Sequence, residues 1–389
     1  MEVTRIFHSV GQGGFYTETF DDLPDKPMVV FDCGGKSSKL MKDYINSFLP
    51  TKPKATIEAV FISHLHDDHI NGLQHLLHRA NVKKIFLPQF NSNQLFDSIF
   101  YNAAYGARTD NSNNLVFSLI NPTNAFRETK IIQVLEANGD INYREDADHM
   151  HQVFQTIASG TPMALSNDWV YIPFNPKSKT PNFDRIEDQA IKETLQSLYD
   201  NTNLYEQAKA LAEFVKSCTV KQCKKLYKKM FGGIHNGQSM TLFSGLRKSE
   251  SNVYCYPFHS PYIHFYRHFW RDCLYDYEDY NENCIPVNFL YTGDYEAGES
   301  AKMEELISFY TNMKVWETIC GVQIPHHGSR KNYAEELYNK RCYAIASAGA
   351  SNKFHHPNID TLINIFHQGC KPFVVTEDKS TIIMQYFRI

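Results

Sequence analysis

The ten residues SHLHDDHING, from Ser63 to Gly72, place His64, His66, Asp68 and His69 within six positions, directly after the apolar run IEAVFIS. Three imidazoles and a carboxylate this close together suit a borderline-soft divalent metal ion. A turn after a strand can aim His64 and His66 at one ion. Asp68 and His69, which open the helix that follows, can then face a second. The competing reading is a polar turn with no ligand. Four metal-competent side chains at one strand end weigh against it.

The surrounding pattern is that of an α/β protein. VTRIF, FYTETF, MVVFDC and IEAVFIS read as strands, VGQGG as a glycine-rich turn, and SKLMKDYINSFL as an amphipathic helix. Residues 92–155 read as loops between short helices. GTPMAL and DWVYIPFNP return to strands. Residues 183–230 switch to apolar spacing of helical period and are expected to form an insertion covering part of the cleft. Strands resume at MTLFSG and VNFLYTGD, separated by the aromatic stretch 254–280, which reads as a loop or short helix. Strands and helices then alternate to the end. The 389 residues permit one elaborated domain or two plain ones, and the reading adopted is a single catalytic domain over 1–389. With 39 Lys+Arg against 43 Asp+Glu, the net charge of −4 excludes a bulk positive field for nucleic acid, though not a local patch. No apolar run reaches the roughly 18 residues of a membrane span. The start, MEVTRIFHSVGQGG, lacks the apolar core of a signal peptide. The nine cysteines include no CxxC pair and read as thiols in a reducing compartment, so a cytoplasmic location is expected.

HxHxDH after a strand resembles the second motif of the metallo-β-lactamase fold, and further motifs of that fold follow in order. FDCGG puts Asp32 at a strand end upstream. YTGD at 291–294 resembles the motif whose aspartate bridges two metals, here Asp294. PHHGS at 325–329 resembles the motif of the last histidine. IHNGQS at 234–239 is the least clear, with His235 as its candidate ligand. Within the superfamily the chain is most similar to the hydrolase domain of ComEC-type DNA-uptake proteins and to phosphorylcholine esterases. That likeness rests on VGQG after the first strand, on Asn236 and Ser239, on Arg330 after PHHGS, and on SAGASNKFHHP at 347–357. His235 departs from the ComEC-type motif, where a histidine is not regular.

The resemblance implies an αββα sandwich with a helical insertion. It also implies two metal positions. His64, His66, His235 and Asp294 would hold one; Asp68, His69, Asp294 and His326 or His327 the other, with His326 preferred because it comes first after the strand. Asp32 would orient a ligand rather than be one. Asp68 would also act catalytically on a metal-bridging hydroxide, and His355 or His356 would serve as an acid or phosphate contact, with His356 the choice; a loop capped before Pro357 is the plain alternative. Zinc suits these donors best, and manganese or iron would also fit. Diiron oxygen-reducing relatives carry Glu at the position of His66, so the histidine favours hydrolysis.

The expected function is a dinuclear metal-dependent hydrolase acting on a phosphodiester, nucleic acid included, with no membrane partner. Hydrolysis of a small ester, lactone or thioester is the first alternative, and a non-catalytic metal-binding regulatory module the second. Lys221, Lys224, Lys225, Lys228 and Lys229 form a basic run on a predicted helix. It would track a phosphate backbone or simply be a solvated face.

Overall fold

The computed structural model describes residues 1–50, 52–106, 110–120, 128–137, 155–166, 168–232, 239–246, 254–259 and 285–389. The first half supplies strands β1 (Glu2–Phe7), β2 (Phe15–Phe20), β3 (Met28–Cys33), β4 (Thr56–Phe61), β5 (Asn81–Val82), β6 (Lys84–Pro88), β7 (Lys130–Val134) and β8 (Gln155–Ile157). The second supplies β9 (Met163–Ala164), β10 (Trp169–Phe174), β11 (Thr241–Leu246), β12 (Tyr254–His259), β13 (Ile285–Tyr291), β14 (Ile319–Gln323), β15 (Tyr343–Ser347), β16 (Lys371–Val375) and β17 (Ile383–Arg388). Among the described residues these form two sheets. One runs β12-β17-β1-β2-β3-β4-β6-β7-β8, with β5 beside β4, and the other β16-β15-β14-β13-β11-β10-β9.

Strands β3, β4, β6, β7 and β8 are parallel, as are β13 to β16. Parallel strands need crossovers, and among the described residues helices lie in these connections on the outer faces. Phe7, Tyr16, Phe31 and Phe61 of the first sheet meet Trp169, Tyr171, Phe289 and Tyr291 of the second in one apolar layer. The other face of the first sheet is covered by α1 (Ser38–Phe48), α3 (Leu73–Arg79) and α4 (Ser92–Tyr105), with α2 (Asp67–Ile70) at its edge. The outer face of the second is covered by α9 (Ser300–Asn312), α10 (Glu335–Tyr338) and α11 (Ile359–His367). The fold is therefore the four-layer αββα sandwich that the motif order implies.

A polar network crosses the middle layer. Arg5 Nε donates to Glu18 Oε1 at 2.7 Å, and the same carboxylate accepts from Tyr171, Ser244 and Tyr291. Every member is buried. Tyr171, Ser244 and Tyr291 lie on the second sheet, so the network ties one sheet to the other.

Three features differ from the sequence reading. Tyr254–His259 is a strand rather than loop or helix, paired antiparallel with β17. Among the described residues it is an edge strand, the place where a proline such as Pro257 is tolerated. The rest of the 260–280 stretch lies outside the described residues. Residues 92–105 form one long helix instead of short helices between loops. Almost every face of α4 is buried, Asp97 and Asn102 included, so its sequence has no polar stripe to mark it. Third, residues 300–312 form a helix, α9, in a stretch given no helix by periodicity.

The insertion is helical as expected. It comprises α6 (Gln189–Tyr199), α7 (Leu204–Ser217) and α8 (Val220–Phe231). Helix α8 opens on a capping box between Thr219 and Gln222 and stops at Gly232, whose φ of 83° suits glycine. It buries Cys223, Leu226, Tyr227, Met230 and Phe231. The insertion packs on α4 and α5 (Asp110–Ile120), and α4 in turn touches the loop after β4.

Candidate metal centre

Strand β4 ends at Phe61, and the chain turns at Ser63 to deliver His64, Leu65 and His66 before α2 begins at Asp67. The turn is clamped from two sides. Asn102 of α4 donates to the Leu65 carbonyl at 3.1 Å and accepts from the Asp67 amide at 2.9 Å. On the other side the two glycine turns close on Asp68. A Cβ at Gly13 or Gly34 would sit 2.3 or 2.2 Å from the Asp68 carbonyl oxygen, so both positions must be glycine. This accounts physically for VGQGG and FDCGG.

Asp32, next to last in β3, has a φ of 54°, a left-handed conformation uncommon outside glycine. The strain aims its carboxylate at the ligand loop. Oδ1 accepts from the Ser63 amide at 2.7 Å, and Oδ2 accepts from Ser63 Oγ at 2.8 Å and lies 2.8 Å from His69 Nδ1. Asp294 follows β13 through Gly293, which has a φ of 54°. Its amide donates to Ser239 Oγ at 3.0 Å. His326 and His327 follow β14 with φ values of 49° and 55°.

Four histidines share one arrangement. His64 Nδ1 lies 2.9 Å from Ser63 Oγ, His69 Nδ1 contacts Asp32, His327 Nδ1 lies 2.8 Å from the Ser347 carbonyl oxygen, and His66 Nε2 lies 3.1 Å from Asp97 Oδ2. In each ring the other nitrogen is buried without a hydrogen-bond partner: Nε2 of His64, His69 and His327, and Nδ1 of His66. An oxygen partner keeps a proton on the bonded nitrogen, so the opposite nitrogen is the one that would offer a lone pair to a metal ion. Ligand atoms of His64, His69 and Asp294 all lie within 4.8 Å of one another, as do those of Asp68, His69 and His327. Asp294 Oδ1 is 3.3 Å from His69 Nε2 and 3.6 Å from His327 Nε2, between the two groups. The His66 ring stands edge-on to His64, centroids 4.4 Å apart. Buried orphan nitrogens and carboxylates in this array fit divalent metal ions.

The charges are strongly coupled. Burial would raise the Asp294 carboxyl, but the imidazoles of His327, His326 and His69 outweigh it and hold it well below the usual range. Burial acts in the same direction on Asp68, yet His69 and His327 bring it down to about 2. Burial pushes His64 well below its ordinary value, helped by His69 and His66. His69 goes the other way: burial opposes its charge, and Asp294, Asp32 and Asp68 overcome that. Two ionised carboxylates held among buried imidazoles form the electrostatic shape of a cation site. Asp68 is the most open of these side chains, 23 % exposed against 3 % for His327.

Most of the residues singled out in the sequence converge here. His64, His66, Asp68, His69 and Asp294 gather in one site. Of the PHHGS pair, His327 is the ring turned toward Asp68, at 3.5 Å, whereas His326 stands toward His356, centroids 5.7 Å apart. Burial, with His326 and His327 beside it, lowers His356 to about 4, so its imidazole is neutral at pH 7. Asn352 holds the loop before it, accepting from the His356 amide at 2.9 Å. His355 has a φ of 55° on the same loop. His235 and Asn236 lie outside the described residues. The lysine run lies on α8, where Lys229 pairs with Glu187 at 2.9 Å and Lys224 caps the Tyr105 ring at 5.2 Å. Lys221, Lys224, Lys225 and Lys228 are exposed. Sequence reading missed Asp97, Tyr101 and Asn102, which touch the ligand loop from α4.

A family model described as "Anti-Pycsar protein Apyc1" matches residues 22–150, a stretch that holds Asp32, the HxHxDH motif and α4. No curated protein sequence matches the chain. Among solved structures the chain is similar to unliganded yeast PDE1, at 11% identity and a TM-score of 0.43, with 100% of each chain covered. It is also similar to Zn(2+)-bound PqqB from Methylobacterium extorquens, at 10% identity and a TM-score of 0.41, covering 97% of this chain and 98% of that one. The metallo-beta-lactamase fold protein YhfI from Bacillus subtilis matches at 12% identity and a TM-score of 0.24, over 45% of this chain and 53% of its own. The two packed sheets with helices outside, and the ordered His and Asp motifs at their strand ends, give this chain the metallo-β-lactamase fold.

Proposed function

We propose that the chain is a dinuclear metal-dependent hydrolase whose substrate is a phosphodiester, nucleic acids among them. The observation that carries the reading is the set of four buried histidines, each with one nitrogen held from outside and the other left without a hydrogen-bond partner, with His64, His69 and His327 beside Asp68 or Asp294 and His66 edge-on to His64. His64, His66 and Asp294 would hold one divalent ion, with His235 their candidate fourth partner from sequence. Asp68, His69, His327 and Asp294 would hold the other. Zinc fits these donors best, and manganese or iron would serve. Such ions supply water activation at neutral pH and neutralise charge that develops on a phosphoryl oxygen.

The remaining work falls to the chain. Asp32 and the Ser347 carbonyl hold the outer nitrogens of His69 and His327, so the inner lone pairs keep one direction. Asp68, partly open, would orient the attacking water and accept its proton. His356 and His326 stand side by side and would contact the phosphate or donate a hydrogen bond to the leaving oxygen. The choice of a phosphodiester over a carboxylic ester is supported by the motif likeness to ComEC-type hydrolase domains, an associational ground.

The test is hydrolysis by metal-loaded protein of single-stranded DNA, duplex DNA, RNA, bis(4-nitrophenyl) phosphate, a lactone and a carboxylic ester. Asp68→Asn serves as the contamination control. Cleavage of any phosphodiester by the wild type and not the variant is the expected result. Turnover confined to the lactone or ester would overturn the phosphodiester assignment.

A further inference from the structure

His66 is held by groups that no motif contains. Its Nε2 lies 3.1 Å from Asp97 Oδ2, and its ring lies flat on Tyr101, with centroids 3.5 Å apart and planes 5° from parallel. Asp97 and Tyr101 are four residues apart on α4, and so share one helix face. One fixes the edge of the imidazole and the other its plane. The second oxygen of Asp97 is taken too: Tyr227 of α8 donates its hydroxyl to Oδ1 at 2.7 Å. Asp97, His66 and Tyr227 are all buried, so water does not substitute for any of these contacts.

We infer that Asp97 is a positioning residue for His66, and that Tyr227 makes helix α8 of the insertion a structural part of the metal site. The inference rests on the reading of His66 as a metal ligand. Both oxygens of Asp97 are acceptors here, one toward Tyr227 and one toward His66, so Asp97 keeps the His66 proton on Nε2. The lone pair is then on Nδ1, the buried nitrogen that has no hydrogen-bond partner. The other histidines of the site are oriented by Ser63, Asp32 and the Ser347 carbonyl. Those partners belong to the two halves of the sandwich itself. His66 alone among the four takes its orientation from a helix that the insertion packs against. Undocking α8 would leave Asp97 Oδ1 buried without its donor and loosen the ring that Asp97 holds.

The experiment is a metal titration of metal-free protein with Zn2+ and, separately, with Co2+ followed by its visible spectrum. The proteins are the wild type, Asp97→Asn and Tyr227→Phe. The wild type takes up two equivalents. Asp97→Asn, which can present an amide N–H to Nε2 and so favour the wrong tautomer, weakens one equivalent by about 10–100-fold and leaves the other unchanged. Tyr227→Phe weakens the same equivalent by a smaller factor and changes the same Co2+ bands. Should Asp97→Asn not fold, Tyr227→Phe, which removes one hydroxyl, still decides. Two equivalents of wild-type affinity and spectrum in a folded variant would overturn the positioning role while leaving the dinuclear reading intact. Equal weakening of both equivalents would also overturn it, since that is the mark of general destabilisation. A wild type that binds no metal sinks the dinuclear reading and this inference together.

Discussion

Oδ1 of Asp294 lies 3.3 Å from Nε2 of His69 and so joins the end of β13 in the second sheet to the ligand loop after β4 in the first. Neither sheet carries a complete site. The candidate centre draws on both halves of the sandwich, which meet at this carboxylate.

Asp294→Ala is therefore expected to affect both metal positions at once. Metal content measured on purified protein should fall from two equivalents to one or none. Hydrolysis should fall by more than the about 10–100-fold typical of losing an outer partner. Retention of two equivalents would overturn the proposal that Asp294 serves both metal positions.

His326 and His327 are neighbours with different expected roles. His327→Ala should lose one metal equivalent, because its Nε2 faces Asp68 at 3.5 Å. His326→Ala should keep both equivalents and show its effect in kcat or KM. The paired metal analyses discriminate the two, and the opposite pattern would reverse the assignment.

Glu18 anchors the polar network between the sheets, with Arg5, Tyr171, Ser244 and Tyr291 all directed at its carboxylate. Glu18→Ala leaves the Arg5 guanidinium buried without its counter-ion. Removing one partner of a buried pair costs about 3–5 kcal/mol. Denaturant unfolding of metal-free protein should show a loss of that order, and a loss below about 1 kcal/mol would mean that the network relaxes.

His8 predicts a pH effect independent of the metals. Burial lowers it to about 3, between Phe15 and Phe48 and hydrogen-bonded to Thr17 and Tyr44. In the unfolded chain a histidine binds its proton near pH 6.5. Between these values the unfolded state holds the extra proton, so acidification favours unfolding. The contribution is fully present above about pH 6.5 and is lost as pH falls toward 3. In His8→Gln the stability of the metal-free protein should decline less steeply from pH 6.5 to 4.5, and an identical slope would contradict a neutral buried His8.

Legibility in the sequence followed distance along the chain. His64, His66, Asp68 and His69 were recognisable because their spacing and the preceding strand are local, and a turn after a strand has few ways to place them. Gly13 and Gly34 were visible as turns, though the Asp68 carbonyl they make room for was not. Asp32 and Asp294 were found through motif order, which indicates a shared site but gives no distances. The choice between His326 and His327 was beyond spacing. Both have positive φ, and only the path of the turn between β14 and the Ser347 carbonyl decides which ring faces inward. Asp97 was invisible for a different reason. It is 31 residues from His66, on a helix buried on nearly all faces, and its own partner Tyr227 is a further 130 residues along. Sequence alone determined which side chains are chemically able to hold a metal and which strand ends present them. Tertiary packing decided which lone pairs face the site, because a histidine's tautomer and ring plane are set by the neighbours it is buried against.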